Sequence, residues 1–525
     1  MAPTSRTRAA LALLVVTAAI LTGCSGTSGR SSGTSSANRA APNGAAPNGL
    51  PGRPNPQGGA ARPDQQGGAP LWYPTGGPDR TGFATETDAR ESPQSTFAMD
   101  VDTASYGYAG NLIRQGSRPA PQDVRPEDFI NAFREDYPQP DGAGFSMSLD
   151  GTRLPEAQHV QPAGDVRLLR IGLQTRAESP TERPDAALTF VIDTSGSMGD
   201  PGKLDMVKQA LHTLVDQLRP SDSVAIVTFS DTARVVRPMT RVTERADLHA
   251  AISRLAADGS TNLESGLVLG YQVAHAGYRS GTTNRVVLLS DGLANVGDTQ
   301  AAPILSRVRE EAAKQITLLG VGVGSDYGDA LMEQLADHGD GYVVYVSGLD
   351  QTRRAFVDQL PATRPLRALD AKVQVTFDPR TVGSYRLIGY DDRALPDEAF
   401  RNDHVDGGEV VAGYSVTALY TVRLREGAVG QVAQAEIRWL DPANREAHEQ
   451  GATIEVSNLD GQFADAPPRL QVCYAAAYFA EALRHSPYGN EISSGQLAQI
   501  AAGAADRTDD PAVTDLADLI RRTAG

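Results

Sequence analysis

The chain has 525 residues, enough for several cores of about 100–200 residues each, and carries a formal net charge of −16 with a pI near 5.0. This acidity excludes nucleic acid as a partner class, since phosphate binding needs a basic footprint, and mainly promotes solubility. Only two cysteines occur, Cys24 and Cys473, so a disulfide framework is not expected.

Residues 1–23 place Arg6 and Arg8 before an apolar run from Ala9 to Leu21, the pattern of a secretory signal peptide. The run is shorter than the roughly 20 residues a membrane span needs. It ends in Leu21-Thr22-Gly23-Cys24, which resembles the bacterial lipobox. That resemblance implies a diacylated Cys24 as the mature N-terminus and a protein held on the extracytoplasmic face of the cell membrane. Residues 24–92 are then rich in Gly, Pro, Ser, Ala, Asn and Gln, with Ala-Ala-Pro-Asn-Gly repeated at Ala40–Gly44 and Ala45–Gly49. Such a segment cannot build a core and reads as a disordered tether. As a flexible coil it would reach on the order of 40–50 Å.

Residues 93–150 read as a small, mainly helical module. A short strand precedes a helical pattern to about Arg114, and a second helix opens at Pro126 with Glu127 and Asp128 in its first turn. Within it, Asp100-x-Asp102 resembles the nucleophile and acid of haloacid dehalogenase-type phosphatases, which implies phosphoryl transfer through an aspartate. Ala104 stands where that family has Thr or Val, and no matching β-α sheet follows. Capping of the helix by Asp102 or Thr103 is therefore preferred.

Residues 151–183 supply strand sequence, with Leu168, Leu169, Ile171 and Leu173 inside Val166–Gln174. From 184 to 362, apolar strand runs alternate with helical spacing, the pattern of a doubly wound, mostly parallel α/β sheet. The run Leu188–Ile192 ends in Asp193-x-Ser195-x-Ser197. A later loop, Asp258–Leu263, contains Thr261, and the run Val286–Leu289 leads to Asp291. Ligands of such sheets gather outside the carboxyl ends of the strands. Two carboxylates and three hydroxyls there make an all-oxygen set, suited to a hard cation rather than to zinc.

These five residues, Asp193, Ser195, Ser197, Thr261 and Asp291, resemble the metal-ion-dependent adhesion site of the von Willebrand factor type A domains. The resemblance implies Mg²⁺ or Mn²⁺, with Ca²⁺ a third candidate, and a ligand protein whose carboxylate completes the metal shell. Some members of that family move the last helix, here about Gln351–Leu360, between affinity states. The 93–150 segment looks like the module that accompanies type A domains in a family of bacterial surface lipoproteins.

Beyond it, residues 363–465 are β-rich, with alternating runs at Ala371–Phe377, Ser384–Ile388, Glu409–Leu424 and Gln431–Trp439. With Val166–Gln174 they suggest a β-sandwich-like domain into which the α/β domain is inserted. Gly413–Tyr420 resembles the C-terminal region of the same lipoproteins. Residues 466–525 read as helices, Leu470–Leu483 and Ile492–Ala502, with Cys473 as a buried free thiol. The expected function is metal-dependent adhesion or assembly at the cell surface, without catalysis. An aspartyl phosphatase using Asp100 and Asp102, or an adaptor for an AAA+ ATPase as in other type A proteins, are the alternatives.

Overall fold

Three sheets organise the chain, and the computed structural model describes them over residues 83–524, apart from 100–102, 143, 178–182, 292–300, 313, 325–331, 333–334, 337–338, 340, 347–363, 404 and 406. The expected signal peptide, Cys24, residues 24–82 of the tether, the Asp100/Asp102 pair and the helix at Gln351–Leu360 therefore lie outside the described residues, whereas residues 83–92, read as the end of a disordered tether, carry a short strand paired with Tyr385 and Ser384 and an ion pair from Glu86 to Arg423. Among the described residues no helix is long and apolar enough to cross a membrane.

The chain enters through β1 (Thr87–Asp88), β2 (Gln94–Ala98), α1 (Ala104–Arg114), α2 (Pro126–Asn131), β3 (Phe145–Arg153) and β4 (Val166–Thr175). An α/β segment follows, made of β5 (Ala186–Asp193), α3 (Leu204–Gln217), β6 (Ser223–Phe229), β7 (Ala233–Arg241), α4 (Arg245–Ser253), α5 (Leu263–Ala276), β8 (Thr283–Ser290), α6 (Ala301–Ala312), β9 (Thr317–Val323) and β10 (Tyr342–Val346). The chain then returns through β11 (Leu366–Phe377), β12 (Val382–Leu387), β13 (Ala394–Leu395), β14 (Gly408–Val411), β15 (Ser415–Leu424), β16 (Gln431–Leu440) and β17 (Ala447–Glu455). It closes with α7 (Pro468–Leu483), α8 (Ser494–Thr508) and α9 (Pro511–Thr523).

Two sheets, ordered β1-β12-β15-β4-β3 and β13-β2-β11-β16-β17, are antiparallel. They share one core in which Leu169, Ile171 and Leu173 of β4 lie with Val373, Val375 and Phe377 of β11. Strand residues alternate between faces, so the even positions of β4 point the other way. There Leu168 joins the helical core built around α7, and Arg170 meets buried polar groups. Both faces of β4 are thus covered and its whole length is buried, unlike the half-buried strand its sequence suggests.

The segment 93–150 carries α1 and α2, and its strands belong to the two sandwich sheets. Phe97 of β2 pairs with Val373 of β11, placing β2 inside the second sheet, while β3 edges the first. The Thr103 side chain makes no capping bond to the first turn of α1. Asp128 of α2 reaches that turn, accepting from Ser105 N at 2.9 Å. The long run Glu409–Leu424 divides into β14 and β15 at the turn Ala412-Gly413-Tyr414. β17 has no hydrophobic pattern because almost all of it is solvent-exposed, and α9 falls within the helical 466–525 segment, beyond the two helices outlined there.

Arg170 of β4 binds Asp150 at 2.6 Å and the fully buried Glu135 at 2.8 Å, with the Cys473 thiol 3.8 Å away. Cys473 is free and buried, though beside charges rather than an apolar surface alone. Burial pushes Glu135 up to about 7 despite Arg170. A carboxyl raised in this way keeps its proton in the folded state where the unfolded chain has lost it. Its contribution to stability therefore falls as pH rises from about 4.5 to about 7. Relative to Glu135→Gln, the wild type is expected to lose up to about 3 kcal/mol across that window in urea melts. Parallel curves for the two proteins would contradict this.

The α/β segment sits between Thr175 and Leu366, inserted into the sandwich. Its sheet runs β10-β9-β8-β5-β6-β7, parallel except for the edge strand β7. From β5 the chain moves first to one side, to β6, and later to the other, to β8. The carboxyl ends of β5 and β8 therefore flank the switch point where open α/β sheets bind ligands.

Candidate metal centre

The apolar side chains of β5 bury its entire length, so the strand cannot shift without exposing core, and its last residue, Asp193, is fixed at the sheet edge. The following turn is tied to the next strand, since Thr194 N and Oγ both donate to Phe229 O, at 2.8 and 3.0 Å. Asp193 is fully buried. Its Oδ1 accepts from Ser195 N at 2.8 Å and its Oδ2 from Ser290 Oγ at 2.7 Å. Burial raises the pKa of Asp193 above the ordinary carboxylate range and nearby Asp291 adds to this, while the hydrogen bonds from Ser290 and Ser195 oppose it.

From there a chain of oxygens crosses the switch point. Ser195 Oγ and Ser197 Oγ are 3.1 Å apart, and Ser197 Oγ donates to Asp291 Oδ1 at 2.9 Å. Ser195 and Asp291 are buried, whereas Ser197 is exposed. The site thus opens to solvent on the Ser197 side.

Thr261 arrives on the loop between α4 and α5 and is buried. That loop is stitched to the serine turn by the backbone, through Asp258 N to Thr194 O at 2.7 Å and Gly196 N to Gly259 O at 2.9 Å. Gly259 has φ +80, and a Cβ there would lie 2.7 Å from Asp231 Oδ2, so no larger residue fits without shifting Asp231. Asp231 in turn accepts from Ser260 N at 3.0 Å. All five residues singled out in the sequence are therefore on adjoining loops. Direct hydrogen bonding links Asp193 to Ser195 and links Ser195 through Ser197 to Asp291, and Thr261 joins through its loop.

Two participants were not anticipated. Ser290, one residue before Asp291, holds the inner oxygen of Asp193. Lys203, just before α3, places Nζ 2.7 Å from Asp291 Oδ2. A hydroxyl adjoining the strand-end acid was a usable signal for Ser290. Nothing local marks Lys203, since its partner is 88 residues away.

The oxygens fit a small hard cation. They are the donor type that such ions take, and the 3.1 and 2.9 Å steps along Ser195, Ser197 and Asp291 are hydrogen bonds that bring these oxygens together. Among the described residues no group of three or more His, Cys, Asp or Glu side chains is gathered for a metal.

The von Willebrand factor type A domain family matches residues 187–358, a family described as YfbK C-terminal matches 366–432, and one described as von Willebrand factor matches 82–161. YfbK of Escherichia coli (strain K12) is 32% identical over 440 residues, covering 78% of this chain and 74% of that protein. Human inter-alpha-trypsin inhibitor heavy chain H4 is 31% identical over 157 residues, 28% of this chain and 17% of its own. Among solved structures, von Willebrand factor type A from Catenulispora acidiphila aligns over 72% of this chain and 89% of its own, with 16% identity and a TM-score of 0.42. A similarity to YfbK that runs across the sandwich as well as the inserted sheet identifies the chain as a member of the YfbK family, carrying a von Willebrand factor type A domain.

Proposed function

We propose that this protein binds a partner protein through a divalent cation held at the switch point of its type A domain. The observation that carries this reading is the convergence of the Ser195, Ser197 and Asp291 oxygens at the carboxyl ends of β5 and β8, open to solvent on the Ser197 side. In this reading Ser195, Ser197, Thr261 and Asp291 face the cation. Asp193 joins them in holding the cation, and the hydrogen bonds its oxygens accept from Ser195 N and Ser290 Oγ orient it at the turn. A bound Mg²⁺ or Mn²⁺ would supply a Lewis-acidic point that a partner's Asp or Glu side chain completes. Three neutral hydroxyls cancel none of the cation's charge, which leaves it attractive to that carboxylate. In this reading the chain's residues bind and orient the cation and its ligand. We further propose that Cys24 is the lipid-bearing residue and that the tether presents the domain outside the cell membrane.

The test is partner capture on the immobilised purified chain. Capture is expected in Mg²⁺, with release by EDTA and none by Asp193→Ala. A partner retained equally in EDTA and by the variant would refute metal-dependent binding.

A further inference from the structure

Away from the strand ends, two histidines of the type A domain meet through one atom each. His212 lies on α3 and His249 on α4, and their Nδ1 atoms are 2.7 Å apart. The ring centres are 5.0 Å apart and the planes 27° from each other, so the rings meet edge to edge through that contact and do not lie face on face. Their outer nitrogens are held as well. His249 Nε2 is 3.1 Å from Asp216 Oδ1, and His212 Nε2 is 3.4 Å from Ser253 Oγ, whose own proton goes to His249 O at 2.8 Å. Donor and acceptor capacity then fixes the protons. Asp216 Oδ1 and Ser253 Oγ both accept, so each histidine carries hydrogen on Nε2. One further proton lies between the two Nδ1 atoms, and Asp216 favours placing the resulting charge on His249. His249 is then the imidazolium, and neutral His212 accepts from it at Nδ1. A single positive charge on the pair satisfies every partner.

A second proton has no acceptor. It would set two N–H groups and two like charges head to head. Burial, and then His249, hold the pKa of His212 below the ordinary imidazole range, with Asp216 opposing and Lys208 adding to this. The other charged side chains of the neighbouring elements are turned elsewhere. Arg237 of β7 pairs with Glu244 and Asp247 at 3.1 and 2.7 Å, Arg245 of α4 donates to Leu218 O, and Arg254 stands exposed at the C-cap of α4. Ser253 is the last residue of α4, and the chain beyond it is the loop that brings Gly259 and Thr261 to the serine turn. We propose that His212 and His249 form an acid-operated latch, in which one shared proton closes α4 onto α3 and a second forces them apart and loosens the 254–262 loop. A histidine whose folded pKa is depressed contributes stability at neutral pH and loses it as pH falls through the imidazole range, so acid is the opening direction. The latch does not require a cation at the strand ends.

The experiment follows hydrogen exchange of the full chain by mass spectrometry, with EDTA present, at about pH 7 and about pH 5, and corrects the rates for the intrinsic effect of pH. His212→Asn is compared with wild type, because its amide oxygen accepts from His249 without titrating. In wild type, peptides spanning α4 and residues 254–262 should exchange at least about tenfold faster at the lower pH, the factor carried by one pKa unit. His212→Asn should show no such acceleration. Equal exchange at the two pH values in wild type, or the same acceleration in His212→Asn, would overturn the proposal. An NMR titration of the histidine-labelled wild type tests the latch without relying on the variant to fold. Two linked proton uptakes, the second below the ordinary imidazole range, are expected. Independent titration of both rings at the ordinary value would overturn the latch.

Discussion

Arg386→Leu is expected to cost about 3–5 kcal/mol of folding stability, the penalty for stranding one partner of a buried ion pair. Arg386 lies on β12 and Glu481 on α7, their charged atoms 2.9 Å apart and each side chain only 2% exposed. The guanidinium also lies 3.7 Å from the centre of the Tyr488 ring, a contact that offsets part of its desolvation. Leucine removes the countercharge but leaves the Glu481 carboxylate away from water. Arg386→Leu with Glu481→Leu should recover most of the loss, since replacing both charges by apolar groups can be nearly neutral. Urea melts of the two single variants, the double variant and wild type measure this directly. A single-variant loss below about 1 kcal/mol would mean that water reaches Glu481. The pair matters for function because α7 covers the outer face of the sandwich that carries the inserted domain.

Asp193→Ala should remove metal-linked stabilisation while leaving the apo fold standing. Its carboxylate is buried at an energetic cost, with a raised pKa, so the deletion relieves desolvation. It also removes the acceptor of Ser195 N and one partner of Ser290 Oγ, a loss of about 1–3 kcal/mol. These opposing effects keep the variant folded. With metal the contrast is larger. A cation at a hundredfold excess over its Kd stabilises the native state by about 2.7 kcal/mol, and Asp193→Ala should show none of this. Thermal melts with and without Mg²⁺ separate the two contributions, and equal Mg²⁺-dependent shifts in both proteins would refute the assignment.

Much of the type A domain was legible because its signals are local. Leu188–Ile192 is a continuous apolar run that ends in an acid and two spaced serines, and Val286–Leu289 repeats the pattern before Asp291. Each strand advertises its own burial, and the topology then brings their ends together. The sandwich was harder to read, since its core depends on pairing between distant segments. Nothing within Gln94–Ala98 says that it will pair with β11 about 280 residues later. β17 carries polar side chains on an exposed edge and so has no apolar period. α9 did carry usable signals. Asp510 caps it by accepting from Ala512 N at 3.0 Å, Pro511 opens it, and Val513, Leu516, Ala517, Leu519 and Ile520 line its buried face. Within the site, the oxygens were readable from spacing, but Lys203 was not. An ion pair between a pre-helical loop and a strand end leaves no trace in either segment.

The most direct measurement of the central claim is calorimetric titration of Mg²⁺ and Mn²⁺ into the purified chain, with Asp193→Ala titrated beside it. Saturable binding of one ion per chain, absent in the variant, is the result expected if Asp193, Ser195, Ser197, Thr261 and Asp291 form a working cation site. No binding by the wild type, or identical isotherms for the two proteins, would contradict metal-dependent recognition at this switch point.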